Sequence, residues 1–386
     1  MEYRKLGRTG LEASVIGFGA EWIGQMEQAE VNAMAARGAA AGMNIVDCWM
    51  SDPAVRSALG AALEPTRERW IIQGHIGSTW QDGQYVRTRG LALVRPAFDD
   101  LLARLRTDHV EIGMIHYVDA CDEFRSIMAG DFIAYMRELL AEGRIRHIGL
   151  STHNPEVALL ACDEPEIEVV MFSLNPAFDM MPASENLDDL FGDYENVGGD
   201  GIEPVRACLY ARAEATETAL TVMKGYAGGR LLAADTSPFG VALTPVQCIH
   251  YALTRPAVAS VMVGVETVEQ LDEALGYEGA TAAERDYASV LAGAPKHAYM
   301  GQCTYCGHCA PCAVGINIAL ANKFYDLAEM AVGGSAAPVP ASVQAHYEAM
   351  DVTAGACIGC GQCEPRCPFG VPIPERMEKA AALFGC

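Results

Sequence analysis

The sequence predicts an α/β chain: a (β/α)8 barrel over residues 1–294, followed by a small, largely helical, cysteine-rich domain over residues 295–386. Two observations carry this. Short β-branched runs alternate with amphipathic segments through the first 280 residues, and eight of the 14 cysteines crowd between Cys303 and Cys367. At about 150 residues per domain, 386 residues imply two to three domains with a large core. Apolar residues make up 51% and charged residues 20%, a balance that argues against disorder. A formal charge of −23 makes nucleic acid and anionic membrane surfaces poor partners. No apolar run approaches the ~18 residues of a membrane helix, and the start, Met1 to Gly7, lacks the apolar stretch of a signal peptide. A cytoplasmic location is expected.

Eight candidate strands follow in order: Val15 to Gly19, Asn44 to Trp49, Trp70 to Ile76, Val110 to Tyr117, Arg146 to Thr152, Glu168 to Asn175, Ala219 to Lys224 and Val258 to Val263. Helical patterns lie between them at Gln28 to Gly42, Ala54 to Leu63, Ala97 to Arg106, Phe132 to Glu142, Pro204 to Glu214, Pro245 to Thr254 and Glu269 to Gly276. Strand–helix alternation with short connections, over about 250 residues, is the pattern of such a barrel. Thr281 to Gly293 reads as one more helix, which places the domain boundary at Ala294–Pro295.

In such barrels the reactive groups stand at the carboxyl ends of the strands. Reading those ends gives Asp47, with Asp52 in the following loop, then His75, His116, Ser151 with His153, Asn175 and Lys224. Each alone reads equally well as a hydrogen-bonded core residue or a solvated loop residue; their convergence on one face makes a candidate site. The acidic loop Ala177 to Gly201, with Glu185, Asp188, Asp189, Asp193, Glu195 and Asp200, is long enough to be a lid, although a solvated loop is the simpler reading.

The cysteines divide into two uses. Cys48, Cys121, Cys162, Cys208, Cys248 and Cys386 stand alone and read as ordinary thiols. The others form two sets, Cys303-Thr-Tyr-Cys306-Gly-His-Cys309-Ala-Pro-Cys312 and Cys357-Ile-Gly-Cys360-Gly-Gln-Cys363-Glu-Pro-Arg-Cys367-Pro368. Three cysteines spaced by two residues present thiolates to three corners of an iron–sulfur cubane, and a fourth completes a [4Fe-4S] site. In the bacterial ferredoxin pattern the fourth cysteine serves the other cluster, which pairs Cys303, Cys306 and Cys309 with Cys367, and Cys357, Cys360 and Cys363 with Cys312. Two [4Fe-4S] clusters are expected. Tetrahedral zinc suits two separated pairs better than three cysteines in a row.

Several stretches together resemble the aldo/keto reductase superfamily, specifically bacterial members with a ferredoxin-type extension. They are Tyr3-Arg-Lys-Leu-Gly-Arg-Thr-Gly-Leu11, Gly42-Met-Asn-Ile-Val-Asp47, Asp108 to His116, Glu142-Gly-Arg-Ile-Arg-His-Ile-Gly-Leu-Ser151 and Val222-Met-Lys-Gly-Tyr-Ala-Gly-Gly229. The resemblance implies a barrel that binds a nicotinamide nucleotide across its mouth and passes hydride to a carbonyl, with an Asp, Tyr, Lys, His tetrad handling the proton. Asp47 and His116 match the tetrad, whereas the tyrosine position holds Asp52 and the lysine position His75. An imidazolium at His75 or His116, steadied by Asp47 or Asp52, has the chemistry to donate a proton near neutrality.

Ser151, Asn175, Lys224 and Gly264 are the corresponding candidate cofactor-binding residues. After Gly264, the segment through Glu266, Gln270 and Glu273 lacks the cations that relatives use for a 2′-phosphate, and Thr152 and Phe172 replace two further nucleotide contacts. This disfavours NADPH and leaves NADH or a flavin open. The leading expectation is an iron–sulfur oxidoreductase in which a small carbonyl, enone or hydroxylated substrate at the mouth exchanges electrons with adjacent clusters, His and Asp moving the proton. A ferredoxin- or flavodoxin-type redox partner follows from the clusters. Two other classes remain: a metal-dependent lyase or hydrolase using the His/Asp ring, and a non-catalytic electron-transfer protein.

Overall fold

The computed structural model describes residues 1–192, 194, 201–332 and 338–386. Asp193, Glu195 and Asp200 of the expected acidic lid therefore lie outside the described residues.

Among the described residues twelve strands occur in chain order: β1 (Tyr3–Lys5), β2 (Glu12–Ser14), β3 (Ile16–Gly19), β4 (Ile45–Cys48), β5 (Ile71–Ile76), β6 (Ser78–Gln81), β7 (Gln84–Arg87), β8 (Val110–Ile115), β9 (Ile145–Thr152), β10 (Ile167–Ser173), β11 (Ala219–Met223) and β12 (Val258–Gly264). Eight of them, β3, β4, β5, β8, β9, β10, β11 and β12, pair in parallel, and β12 closes onto β3. These are the eight predicted strands. Their registers bring Gly19 beside Asp47, Asp47 beside Gln73 and His75 beside Met114. Consecutive carboxyl ends thus line one rim.

The antiparallel hairpin β1–β2 adds Leu6 and Ala13 to an interior apolar layer with Ile45, Ile71, Ile112, Val169, Ala219 and Ala259. It plugs the amino end and leaves the carboxyl end open. The second hairpin, β6–β7, is not among the expected strands. It turns through Asp82 and Gly83, both at positive φ (51° and 78°), with Gln81 paired to Gln84. An Asp-Gly pair in a two-residue loop is the local signature of such a hairpin.

Two helix expectations need correction. The helix expected over Thr281 to Gly293 is confined to Tyr287–Ala292, and Asp286 caps it by accepting from Ser289 N. The helix expected to begin at Ala97 runs Leu91–Arg104 with Pro96 inside it, so that proline does not mark its start.

The cysteine-rich domain rides on the outside of the barrel. Its helix Ile318–Val332 packs on the outer-ring helix Pro204–Ala215, and Ser342 donates to the Ala215 carbonyl at 3.3 Å. The connecting segment is fastened by buried polar groups. Tyr299 donates to the Pro176 carbonyl and lies 3.3 Å from the Tyr251 hydroxyl, while buried Asp179 accepts from Tyr210 and, at 2.7 Å, from Tyr251. The Thr304 carbonyl accepts from Arg255 and, at 2.6 Å, from Tyr287. Arg255 precedes the amino end of β12 and Pro176 follows the carboxyl end of β10, so this segment touches the barrel near both ends of its wall. Among the described residues no helix is long and apolar enough to cross a membrane.

One half-buried histidine makes stability pH-dependent. His250 lies on helix Pro245–Thr254, 3.1 Å from the Tyr277 hydroxyl, and burial, aided by Arg285 and Arg4, lowers its pKa to about 4. An unfolded histidine takes up a proton below about pH 6.5, before the folded one does, so stability declines as pH falls from there toward 4. His250→Gln is expected to flatten the fall in melting temperature over that interval; an undiminished fall would contradict the assignment.

Candidate active site and cysteine cavities

The open end of the barrel holds a cavity of about 1890 Å³, counting space continuous with solvent. Asp47, His75, His116, Ser151, Lys224 and Gly264 all line it, together with His153. The carboxyl ends of β4 and β5 and the residue after β8 project the first three toward a common centre. There they form a hydrogen-bonded line. Asp47 Oδ1 lies 2.9 Å from His75 Nε2, His75 Nδ1 lies 2.8 Å from His116 Nδ1, and His116 Nε2 lies 2.7 Å from the Tyr85 hydroxyl. Gln73 Nε2 also donates to Asp47 Oδ1, at 3.0 Å.

Tyr85 is the member that sequence reasoning missed. It comes from β7, folded back over the mouth after β5. The hairpin is pinned where Ser51 donates to the Thr79 carbonyl at 2.7 Å and Arg56 to the Ser78 carbonyl at 3.2 Å. Trp49 stacks parallel on His116, its ring centre 5.9 Å away, and meets Tyr85 edge-on at 5.5 Å. Three rings hold one another's orientation.

Burial is the main cause of the two shifts resolved in this line. It pushes the Tyr85 phenol up to about 12, so at neutral pH the phenol keeps its proton. It also holds His116 well below the usual histidine range, helped by facing His75, Arg89 and Arg87. His116 is therefore a neutral imidazole, one nitrogen donating and the other accepting. A second pair faces the same cavity: His153 Nδ1 lies 2.9 Å from Asp119 Oδ2, and Asp119 Oδ1 accepts from His153 N.

The remaining expected residues divide. Ser151 Oγ accepts from Tyr117 N at 2.8 Å at the rim, and Lys224 Nζ is 3.9 Å from Glu21. Asp52 does not join the line. It caps helix Pro53–Leu63, accepting from Ala54 N at 2.7 Å, as an aspartate before a first-turn proline is apt to do. Asn175 also turns from the cavity, donating to the Lys224 carbonyl and accepting from Ala177 N and Phe178 N. Thr152 and Phe172 are fully buried. Of the acidic loop, Leu187 reaches the cavity.

The cysteines ring two smaller cavities. Cys303, Cys306, Cys309 and Cys367 line one of about 310 Å³; Cys312, Cys357, Cys360 and Cys363 line the other, of about 390 Å³. The last cysteine of each set has crossed to the other's three. Among the described residues, no three Cys, His, Asp or Glu side chains gather tightly enough to hold a single ion. The thiols surround space instead. The cysteine cavities, lined by residues within 303–377, and the mouth, lined by residues within 19–273, share no lining residue and are separate cavities.

Comparison with known proteins bears on both halves. Residues 302–372 match a 4Fe-4S dicluster domain. The chain is similar to an uncharacterized oxidoreductase, YqkF, of Bacillus subtilis, at 26% identity over 71% of this chain and 90% of that one. It is equally similar, at 26%, to L-galactose dehydrogenase of Arabidopsis thaliana, over 71% of this chain and 86% of that protein. In fold it is similar to the holo form of aldo-keto reductase AKR11C1 from Bacillus halodurans, with a TM-score of 0.59 and 19% identity over 74% of this chain and 94% of that one. Residues 15–291 match the aldo/keto reductase family, and the chain is accordingly a member of it: an oxidoreductase barrel carrying a 4Fe-4S domain.

Proposed function

We propose that the protein reduces or oxidises a small organic carbonyl, enone or hydroxylated compound in the barrel mouth, with two [4Fe-4S] clusters as its electron store. The observation that carries the proton chemistry is the unbroken line from Asp47 through His75 and His116 to Tyr85. The thiol quartets fit the clusters: four soft donors ring each of two cavities, in the crossed ferredoxin pairing. When bound, the clusters supply electrons one at a time.

The chain's own groups supply the protons. In the loaded state His75 carries two N–H groups and donates to Asp47 and to His116 Nδ1. His116 Nε2–H then donates to the Tyr85 oxygen, leaving the phenol O–H for the substrate oxygen. As that proton leaves, His116 gives its Nε2 proton to Tyr85 and receives one at Nδ1 from His75. His116 is neutral before and after, as its depressed pKa requires. No free phenolate forms, which removes the obstacle of a phenol pKa near 12. Asp47 balances the His75 charge in the loaded state. A two-electron reduction needs a second proton, and His153, held by Asp119 in the same cavity, is placed to give it.

The charges at the mouth disfavour NADPH. Lys224 is the sole lysine or arginine lining the described cavity, and it faces Glu21, while Glu266 and Glu273 line the rim beyond Gly264. Carboxylates there repel a 2′-phosphate. A metal-dependent lyase is also disfavoured, because the imidazole nitrogens of the line face one another and Asp47 instead of converging on an ion. Because the cysteine cavities and the mouth share no lining residue, an electron carrier with the barrel as scaffold is the second reading.

Anaerobic purification with iron, sulfide, flavin and nucleotide analysis, then reduction by NADH, NADPH or dithionite in the presence of candidate carbonyls, tests the proposal. Expected are iron and sulfide for two clusters, no reduction by NADPH, and substrate-dependent reoxidation of reduced protein. Reduced protein that no carbonyl or enone reoxidises, but a ferredoxin-type protein does, would favour the carrier.

A further inference from the structure

Among the described residues, Arg255 is a buried cation with no carboxylate in direct contact; Asp179 acts on it only from a distance. It is 1% exposed, and its guanidinium carbon lies 4.7 Å from the Tyr251 ring centre and 5.1 Å from that of Tyr305. Nη2 donates to the Thr304 carbonyl and to Thr254 Oγ1, whereas Nε and Nη1 have no hydrogen-bond partner. Among the described residues no carboxylate lies within ion-pair distance of it. Buried Asp179 is engaged by Tyr210, Tyr251 and, at 4.0 Å, Arg206. An unpaired buried guanidinium is strongly unfavourable, so an anion is expected beside it.

The place for that anion is next door. Thr304 and Tyr305, which Arg255 touches, line the cavity ringed by Cys303, Cys306, Cys309 and Cys367. A cluster held by four thiolates has net negative charge, and its potential depends on that charge and on nearby hydrogen bonds. Arg376, also on this side, is already paired with Asp326. We propose that Arg255 is the barrel's counter-charge to the cluster at Cys303, Cys306, Cys309 and Cys367, and that it raises that cluster's reduction potential. Reduction adds negative charge, which a cation in a low-dielectric wall favours. Through this residue the barrel tunes and retains the cluster nearer to it. The inference rests on the iron–sulfur reading above.

Full-length Arg255→Gln and Arg255→Lys, loaded anaerobically, separate charge from hydrogen bonding. Gln keeps a donor for the Thr304 carbonyl without the charge; Lys keeps the charge. In redox titrations followed by electron paramagnetic resonance, the Gln protein is expected to show one cluster moved to a more negative potential, or lost, with the other unmoved. The Lys protein is expected to keep both near the parent values. Tyr287→Phe, which removes the other donor to that carbonyl, is expected to shift neither as far. Unchanged potentials in the Gln protein, a Lys protein that behaves like Gln, or an equal shift in Tyr287→Phe would overturn the proposal. Parent protein without iron and sulfide would refute the underlying reading instead.

Discussion

Replacing His116 by alanine is expected to reduce turnover about 10²–10⁴-fold, the usual contribution of a positioned acid or base, while leaving the cluster absorbance intact. Alanine removes both nitrogens that join His75 to Tyr85, so the substrate is cut off from the proton held beside Asp47. Tyr85→Phe cuts the same line at its far end and disturbs less: the ring that meets Trp49 edge-on stays, and only the hydroxyl goes. Both variants should lose turnover to a similar extent, and the double variant little more, because members of one relay act as a unit. Asp52→Asn serves as the contrasting control, since an asparagine caps a helix about as well as an aspartate and Asp52 stands outside the line. Full activity in Tyr85→Phe would remove the phenol from the mechanism; a large loss in Asp52→Asn would return that carboxylate to it.

The second large effect concerns the crossed cysteines. Cys312→Ala is expected to lose about half of the protein's iron, and the cluster lost is that of the Cys357, Cys360 and Cys363 set, 45 residues further along, because Cys312 lines that cavity. Cys367→Ala should empty the opposite site, where Cys367 joins Cys303, Cys306 and Cys309. Iron analysis with the spectra of each variant decides the matter. If Cys312→Ala instead empties the site of its own three neighbours, the pairing is uncrossed. If it loses no iron, Cys312 is not a ligand.

Part of the site was legible because its signals are local. Asp47, His75 and His116 end strands whose β-branched runs are visible residue by residue, and a parallel barrel brings consecutive strand ends to one rim. The same rule failed for Asp52 and Asn175. Both follow strands, but short-range backbone contacts claim their side chains, one as a helix cap and one in a turn. Tyr85 was hidden for the opposite reason. The Asp82-Gly83 turn signals its hairpin, yet nothing nearby in sequence says that the hairpin folds over the mouth; that depends on Ser51 and Arg56 reaching across from another segment.

By itself the sequence determined the eight-stranded barrel and the two cysteine quartets, which follow from periodicity and spacing along the chain; the poverty of cations beyond Gly264 was legible through the resemblance to aldo/keto reductases. The crossing of each fourth cysteine was already expected from the ferredoxin spacing. Only the tertiary structure decided that Tyr85 ends the hydrogen-bonded line and that the cysteine domain packs on the barrel's outer helices. These depend on contacts between segments far apart in the chain, such as Arg255 with Thr304 and helix Pro204–Ala215 with helix Ile318–Val332. Such contacts are selected by which buried surfaces and polar groups satisfy one another, and local pattern carries no record of that choice.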